Sequence, residues 1–282
     1  MKLLACPKCH QQLHLENKTL KCENNHCYDI SKRGYINLLL NPDKATNNPG
    51  DSKESLVARK AYLNKGYYDP ILDQVITCID EFKHQDGSKM FIVAHEKADG
   101  LSILDLGCGE GYYTQGLKKH FENSDIYGLD ISKIAIDMAT RYRKDVTWLV
   151  GNSKNIPILD HSLDFICALF TVVNQDELKR ALKEDGYIVH VTANNQHLIE
   201  IKELIYDEIK VKSDKYIRLD FNQVKSYDFK EKVHISNRED ALNLLMMTPH
   251  YYHIKKEKRG VLDTLQGLDI TIDIKVTVYA LS

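Results

Sequence analysis

No stretch of this 282-residue chain holds enough consecutive apolar residues to cross a bilayer, which excludes a membrane-spanning helix. The chain also has almost no net charge, −2 at neutral pH, so bulk charge alone would not draw it to a polyanion. It lacks an N-terminal apolar run of the secretory type, internal repeats and a low-complexity tail. Its seven cysteines are an odd number, and only those at positions 6, 9, 22 and 27 cluster. That pattern argues against a disulfide framework and for a reducing, cytoplasmic location. What is present is ordinary for a globular protein: 43% hydrophobic and 28% charged residues. The length suits one large core with a small satellite module.

The cysteines supply the first positive signal. Cys6-x2-Cys9-x12-Cys22-x3-His26 offers two thiolates from one tight knuckle and a thiolate plus an imidazole from a second. Such a set can close a tetrahedron around zinc, and four protein ligands mark a structural site with no open position for chemistry. The stretch Leu13–Leu20 between the pairs has the length of a hairpin. Cys27 adjoins His26, and either spacing permits the fourth ligand. His10 and His14 read as solvated hairpin residues.

Charge is unevenly distributed. Residues 1–65 hold 11 Lys+Arg against 6 Asp+Glu, and the remainder holds 27 against 34. A basic head on an acidic body fits a nucleic-acid partner, although a merely solvated small domain would show the same charge. The expected organisation is a zinc-binding recognition module over 1–40, a linker with helices over 41–84, and a catalytic domain over 85–282. Within the linker, Asn41–Asp51 is polar and includes Lys44. Asp51 or Ser52 caps a helix through Asn64, and Asp69-Pro70 opens another through about Lys83. From Leu101 onward strands and helices alternate: strands Ser102–Leu106, Ile126–Asp130, Thr147–Gly151, Asp164–Leu169 and Tyr187–Thr192, with helices Tyr113–His120, Lys133–Tyr142, Gln175–Leu182 and Gln196–Lys210. Asn237–Met246 reads as a further helix. Short apolar strands of this kind belong to a parallel sheet buried on both faces, a doubly wound α/β fold. The final strand alternates Ile270, Ile272, Ile274, Val276 and Val278 with Thr271, Asp273, Lys275 and Thr277, as an added antiparallel strand does.

Asp105-Leu106-Gly107-Cys108-Gly109-Glu110-Gly111 lies where the first of these strands enters a helix. Glycines there allow a tight turn and close approach of a ligand. Asp130, at the end of the next strand, can accept both ribose hydroxyls of a nucleoside. Gly151-Asn152-Ser153 ends the strand after that, in position to meet an adenine edge. The spacing is Gly-x-Gly-x-Gly and not the dinucleotide Gly-x-Gly-x-x-Gly, and Asp105 suits a cationic, phosphate-free ligand better than a pyrophosphate. S-adenosylmethionine, with an ammonium and a sulfonium, is such a ligand.

Leu104–Gly111 with Asp130 resembles the fingerprint of class I S-adenosylmethionine-dependent methyltransferases, whose sheet is Rossmann-like. More narrowly, the chain is similar to the large-subunit (23S) rRNA guanine-N1 methyltransferases. The likeness rests on Cys6-Pro7-x-Cys9, Cys22-x3-His26-x2-Asp29, Gly34-Tyr35-x-Asn37-Leu38-Leu39, Pro49-Gly50-Asp51-Ser52, Arg59-x2-Tyr62-Leu63, Gly66-x-Tyr68-x-Pro70, Gly107–Thr114, Gly128–Lys133, His197-Leu198 and Met247-Thr248-Pro249, in order along the chain. It implies methyl transfer to guanine N1 in a hairpin of 23S rRNA and structural zinc on Cys6, Cys9, Cys22 and His26 in a zinc-ribbon-like module that grips RNA. It also implies cofactor contacts from Tyr68, from the turn and helix start (Asp105, Gly107, Gly109, Glu110, Gly111, Tyr113, Thr114), from Asp130 and from His197. It allows two copies to pair around the RNA. Tyr68 and His197 enter by resemblance alone, whereas Asn152 and Ser153 come from the strand-end argument.

The chain departs from the family after its fourth strand. Phe170-Thr171-Val172-Val173-Asn174 replaces an aromatic-Ala-Pro-Cys segment that borders the target base, leaving Phe170 to stack on a base and Asn174 to hydrogen-bond its edge. Lys183-Glu184-Asp185-Gly186 stands where a Pro-Gly-Gly turn is usual. Two other readings follow from the same features: a methyltransferase of this build acting on another RNA position or a small molecule, and a non-catalytic RNA-binding relative.

Overall fold

The computed structural model describes residues 1–40, 50–83, 100–209, 219–255, 258, 260 and 267–281. The linker stretch 41–49 with Lys44, the segment 84–99 with its apolar run Met90–Ala94, and Lys210 lie outside the described residues. The chain opens with three short strands, β1 (His14–Glu16), β2 (Thr19–Lys21) and β3 (Cys27–Asp29), which form an antiparallel sheet of their own. The hairpin expected between the cysteine pairs is β1–β2, with Glu16 opposite Thr19 and Asn17 at φ 58 in its turn. β4 (Ile36–Asn37) leaves this module and pairs in parallel with a strand of the main sheet.

Helix α1 (Lys53–Leu63) starts at Ser52, whose hydroxyl accepts the Ser55 N–H at 3.1 Å, and ends at Asn64. Helix α2 (Asp69–Phe82) has Pro70 in its first turn, where the missing N–H costs nothing. Then follow β5 (Ser102–Leu106), α3 (Tyr112–His120), β6 (Asp125–Asp130), α4 (Lys133–Ala139), β7 (Thr147–Val150), β8 (Leu163–Leu169), α5 (Gln175–Ala181), β9 (Leu182–Ala193), α6 (Ile199–Ile205), β10 (Asn222–Ile235), α7 (Arg238–Met246) and β11 (Leu268–Ala280). The eight-stranded sheet runs β10-β11-β9-β8-β5-β6-β7-β4. Its pairs from β4 to β9 are parallel, and β11 and β10 add antiparallel.

Alternation along each parallel strand sorts side chains between two cores. Ile103, Ile126, Trp148 and Val150 face a layer made by α1–α4, α6 and α7. Leu104, Leu106, Tyr127, Leu129 and Leu149 face the other way, onto α5 and onto Leu4, Leu13 and Leu20 of the cysteine module. The module therefore shares a core with the sheet and covers the face that its neighbour α5 leaves open.

Two expectations need correction, and one strand is additional. The helix expected over Gln196–Lys210 spans only Ile199–Ile205. Ahead of it the backbone of 194–198 is held by β11: Leu198 donates to Thr271 O at 2.8 Å and Gln196 to Asp273 Oδ2 at 3.1 Å, with Leu198 at φ 53. The turn expected at Lys183–Gly186 lies within β9, where the register jumps from Leu163↔Leu182 to Phe165↔Tyr187, so the extra residues form a bulge. β10 was not foreseen. It is a fourteen-residue edge strand whose exposed, charged side chains hide its periodicity and protect the open edge from pairing. β11 is as expected, with all five of its alternating Ile and Val residues buried; Thr271, Asp273 and Thr277 on the opposite face are buried as well.

Candidate functional site

The metal-ligating set is assembled by two matching knuckles. His10 N–H donates to Cys6 O at 2.8 Å and Asn25 N–H to Cys22 O at 2.9 Å, and His10 (φ 59) and Asn25 (φ 60) turn the chain back. The ligand atoms of Cys6, Cys9, Cys22 and His26 all lie within 4.8 Å of one another. Measured edges are 3.4 Å from Cys6 Sγ to His26 Nδ1, 3.5 Å from Cys22 Sγ to His26 Nδ1 and 3.6 Å from Cys9 Sγ to Cys22 Sγ. A tetrahedron with zinc–ligand bonds of 2.0–2.3 Å has edges of about 3.6–3.8 Å. The donor set and its spacing therefore fit zinc. His26 faces the cluster, while Cys27 is exposed and directs its thiol to Asn25 O at 3.5 Å, which favours His26 as the fourth ligand. The Gln11 backbone N–H draws the Cys9 thiol down to about 6, favouring the thiolate that metal binding requires. Tyr28 Oη lies 3.3 Å from Cys6 Sγ as an outer-shell partner.

The knuckle is fastened to the main sheet. Leu4 bridges Ile158, Ala5 N–H donates to Pro157 O at 3.0 Å, and Asn155 Nδ2 donates to Pro7 O at 2.8 Å. These partners belong to the connection between β7 and β8, which begins with Asn152 and Ser153. The same connection is held from its other side by α5: Glu177 accepts Ile156 N–H at 2.6 Å, and Arg180 donates to Ile156 O and Ile158 O at 2.7 and 2.8 Å.

The second site lies at the adjacent ends of β5, β6 and β7. Gly107, Gly109 and Gly111 have φ of 74, 58 and 87, the left-handed region that favours glycine. The turn is tied to β6 by Gly107 and Cys108 N–H groups, both donating to Leu129 O at 2.8 and 3.1 Å. Asp130 accepts from Gly109 N at 2.9 Å and from Ser132 N at 2.7 Å, which fixes its carboxylate beside the turn. Burial raises the Asp130 carboxyl, and those two backbone donors oppose the rise. Asp105 is buried under the turn and accepts from Thr114 Oγ1 at 2.5 Å; burial pushes its carboxyl up to about 7. Glu110 is buried too, and burial also lifts it to about 7. Its Oε2 and the Tyr113 hydroxyl oxygen are buried with no hydrogen-bond partner among the described residues. Two unsatisfied polar atoms and three carboxyls around a glycine turn fit a polar, cationic ligand such as S-adenosylmethionine.

The structure also gathers residues that the sequence could not join. Tyr68, at the start of α2, places its hydroxyl 3.4 Å from His197 Nε2, and His197 Nδ1 accepts Asp273 N–H at 3.3 Å. That acceptor role puts the ring proton on Nε2, facing Tyr68. Burial holds His197 down at about 4, so it is neutral at physiological pH. Phe170 stacks on the His197 ring with centroids 5.9 Å apart, has φ 55 and is 43% exposed. Thr171 lies over Gly107, where a Cβ would stand 2.3 Å from Thr171 Oγ1, so the segment after β8 abuts the glycine turn. Asn174 caps α5, its Oδ1 accepting Glu177 N–H at 3.1 Å. Asn152 sits at the end of β7, its Oδ1 accepting Lys154 N–H at 3.0 Å, and Ser153 follows it half-buried. Sequence reasoning gave Arg59 no role, yet a Cβ on Gly109 would stand 3.3 Å from its Nη1. Fifty residues of separation hid that contact.

Comparison with known proteins accords with this arrangement. A zinc-ribbon family model, the RlmA N-terminal domain, matches residues 4–45. A methyltransferase domain model matches residues 103–186. A Bacillus subtilis (strain 168) protein, named provisionally as a 23S rRNA (guanine-N(1)-)-methyltransferase, is 26% identical over 289 residues, covering 98% of this chain and 96% of that protein. The 23S rRNA (guanine(748)-N(1))-methyltransferase of Streptomyces fradiae is 27% identical over 206 residues, 73% of this chain and 68% of its own length. Among solved structures, a Methanococcus maripaludis protein described provisionally as an S-adenosyl-L-methionine-dependent methyltransferase is 16% identical, with TM-score 0.43 over 83% of this chain and 96% of that one. The chain thus carries a methyltransferase domain behind an RlmA-type N-terminal zinc ribbon, and along nearly its whole length it is similar to a protein named provisionally as a 23S rRNA guanine-N1 methyltransferase.

Proposed function

We propose that the protein methylates large-subunit ribosomal RNA, transferring the methyl group of S-adenosylmethionine to N1 of a guanine in a 23S rRNA hairpin. The observation that carries the reading is the joining of the two sites. The zinc knuckle, the β7–β8 connection and α5 form one hydrogen-bonded unit, so a module that grips RNA would hold it in fixed relation to the cofactor turn. A relative named provisionally for this activity aligns over 98% of the chain, and so across both parts. In this reading residues 1–40 recognise RNA, 41–84 lead into the core, 85–282 hold the cofactor, and a ribosomal substrate places the protein in the cytoplasm.

S-adenosylmethionine supplies an activated methyl on a sulfonium. The chain's own task is alignment, which accounts for much of the rate of such a displacement. Asp130 takes the ribose hydroxyls on lone pairs that its two backbone donors leave free. Asn152 and Ser153 border the adenine. Gly107, Gly109 and Gly111 let the ligand approach the backbone, with Asp105, Glu110, Tyr113 and Thr114 beneath. Tyr68, oriented by His197, closes the pocket from α2. Phe170 is exposed beside that pair and offers its ring to the target base. Asn174 has committed its carbonyl oxygen to the helix cap, so its amide NH₂ is what remains for the O6 edge of a guanine. The N1 proton must leave to a base or to water, and burial holds His197 too low, at about 4, to serve as that base.

The test is incubation of the zinc-loaded protein with labelled cofactor and unmethylated 23S rRNA, followed by mapping of the modified base. Label on guanine N1 is expected. Label on another nucleotide would move the activity to a different RNA position, and tight RNA binding without transfer would leave a binding protein only.

A further inference from the structure

The three acids around the glycine turn leave one part of S-adenosylmethionine unanswered. The molecule carries a methionine α-carboxylate beside its ammonium and sulfonium, and Asp105, Glu110 and Asp130 all repel a carboxylate. A cation at the turn would answer it. Arg59, on the inner side of α1, is placed there: among the described residues beyond the turn's own neighbours, the one heavy atom within 4 Å of a Cβ built on Gly109 is its Nη1, at 3.3 Å. Its Nη2 pairs with Asp51 Oδ2 at 2.5 Å and reaches Met247 O at 3.5 Å, so the guanidinium is held by the start of α1 on one side and the end of α7 on the other. Nη1, which faces the turn, donates to none of the described residues. The side chain is 27% exposed, open enough to meet a ligand and buried enough for its charge to count. Both Glu110 and Asp130 feel that charge, which opposes the upward push of burial on each.

We infer that Arg59 is the anchor for the α-carboxylate of the cofactor, with the N–H groups of Nη1 as donors and Asp51 as the counter-ion that holds the group in place through Nη2. A guanidinium can keep one nitrogen on Asp51 while another donates to a carboxylate, which the single ammonium of a lysine does not reproduce in the same fixed geometry. The assignment rests on the cofactor pocket and is independent of which RNA base is methylated. It also gives a purpose to an ion pair that otherwise only ties α1 to the segment ahead of it.

The experiment is calorimetric binding to the full zinc-loaded chain of two ligands: S-adenosylhomocysteine, and its decarboxylated analogue, which keeps the adenosine, the sulfur and the amine. Arg59→Ala should weaken the first by about tenfold to a hundredfold and leave the second within about twofold. Arg59→Gln keeps the stem and a donor for Met247 O, guards against an alanine variant that does not fold, and should show the same selectivity. Equal loss for both ligands, or loss for neither, would overturn the assignment while leaving the pocket intact. Failure of the unmodified protein to bind S-adenosylhomocysteine at all would remove the cofactor reading and this inference with it.

Discussion

Gly111→Ala should cost more stability than Gly116→Ala, although simple geometry ranks them the other way. A Cβ on Gly111 would stand 2.6 Å from Trp148 Cη2 and 3.0 Å from Ala139 Cβ, whereas one on Gly116 would stand 2.3 Å from Leu72 Cδ2. What differs is the backbone and the neighbour. Gly111 has φ 87 at the start of α3, where an L-residue loses about 1–2 kcal/mol. Trp148 cannot retreat: it is 2% exposed, its Nε1 donates to Arg143 O at 2.9 Å, and Gly128 presses on the same ring. Overpacking a fixed ring adds about 1–3 kcal/mol, and the reduced freedom of the unfolded chain returns about 0.4–1 kcal/mol. The expected net loss is about 2–4 kcal/mol. Gly116 lies inside α3, where alanine is better than glycine by about 0.5–1 kcal/mol, and its obstacle is the tip of a half-buried leucine that can rotate. Its net change should stay within about 1 kcal/mol. Urea unfolding followed by fluorescence suits the comparison, because Trp148 is the chain's one tryptophan and lies against Gly111. A loss below 1 kcal/mol for Gly111→Ala, or a larger loss for Gly116→Ala, would refute the reasoning.

Asp130→Ala should weaken S-adenosylhomocysteine binding by at least about tenfold, since it removes a ribose acceptor and frees two backbone donors of the turn; unchanged affinity would sink the ribose assignment. Affinity for S-adenosylmethionine should rise between pH 6 and 8. Asp105 and Glu110, both held near 7, must ionise to attract the cation, so titration in buffers of different ionisation enthalpy should show proton release on binding. In the free protein those groups act in the opposite sense: their folded-state values are raised, so their contribution to stability is greatest in acid and is lost as pH rises through about 7. Metal analysis should find one zinc per chain, retained in Cys27→Ser and lost in His26→Ala. Asn155→Ala should keep its zinc yet weaken cofactor binding several-fold, because it cuts the bond between the knuckle and the connection that carries Asn152; full affinity would show the two sites to be independent.

By itself the sequence determined the pieces whose physics is local. Four ligands at knuckle spacing, three glycines after an apolar strand, Ser52 and Pro70 at helix starts and the alternation of β11 are each read within a few residues, because tetrahedral coordination, left-handed turns, capping and the sheet pleat act over that range. Local pattern also misleads where tertiary contacts prevail, as in α6, shortened because β11 captures the backbone of 194–198, and in β10, whose charged edge carries no periodic signal. Only the tertiary structure decided that the cysteine module shares the sheet's core, that His26 and not Cys27 lies with the three clustered thiols, that Tyr68, His197 and Phe170 meet, and that Arg59 lies on Gly109. Each of these depends on segments distant in sequence or on the direction of a single side chain, and packing alone fixes both.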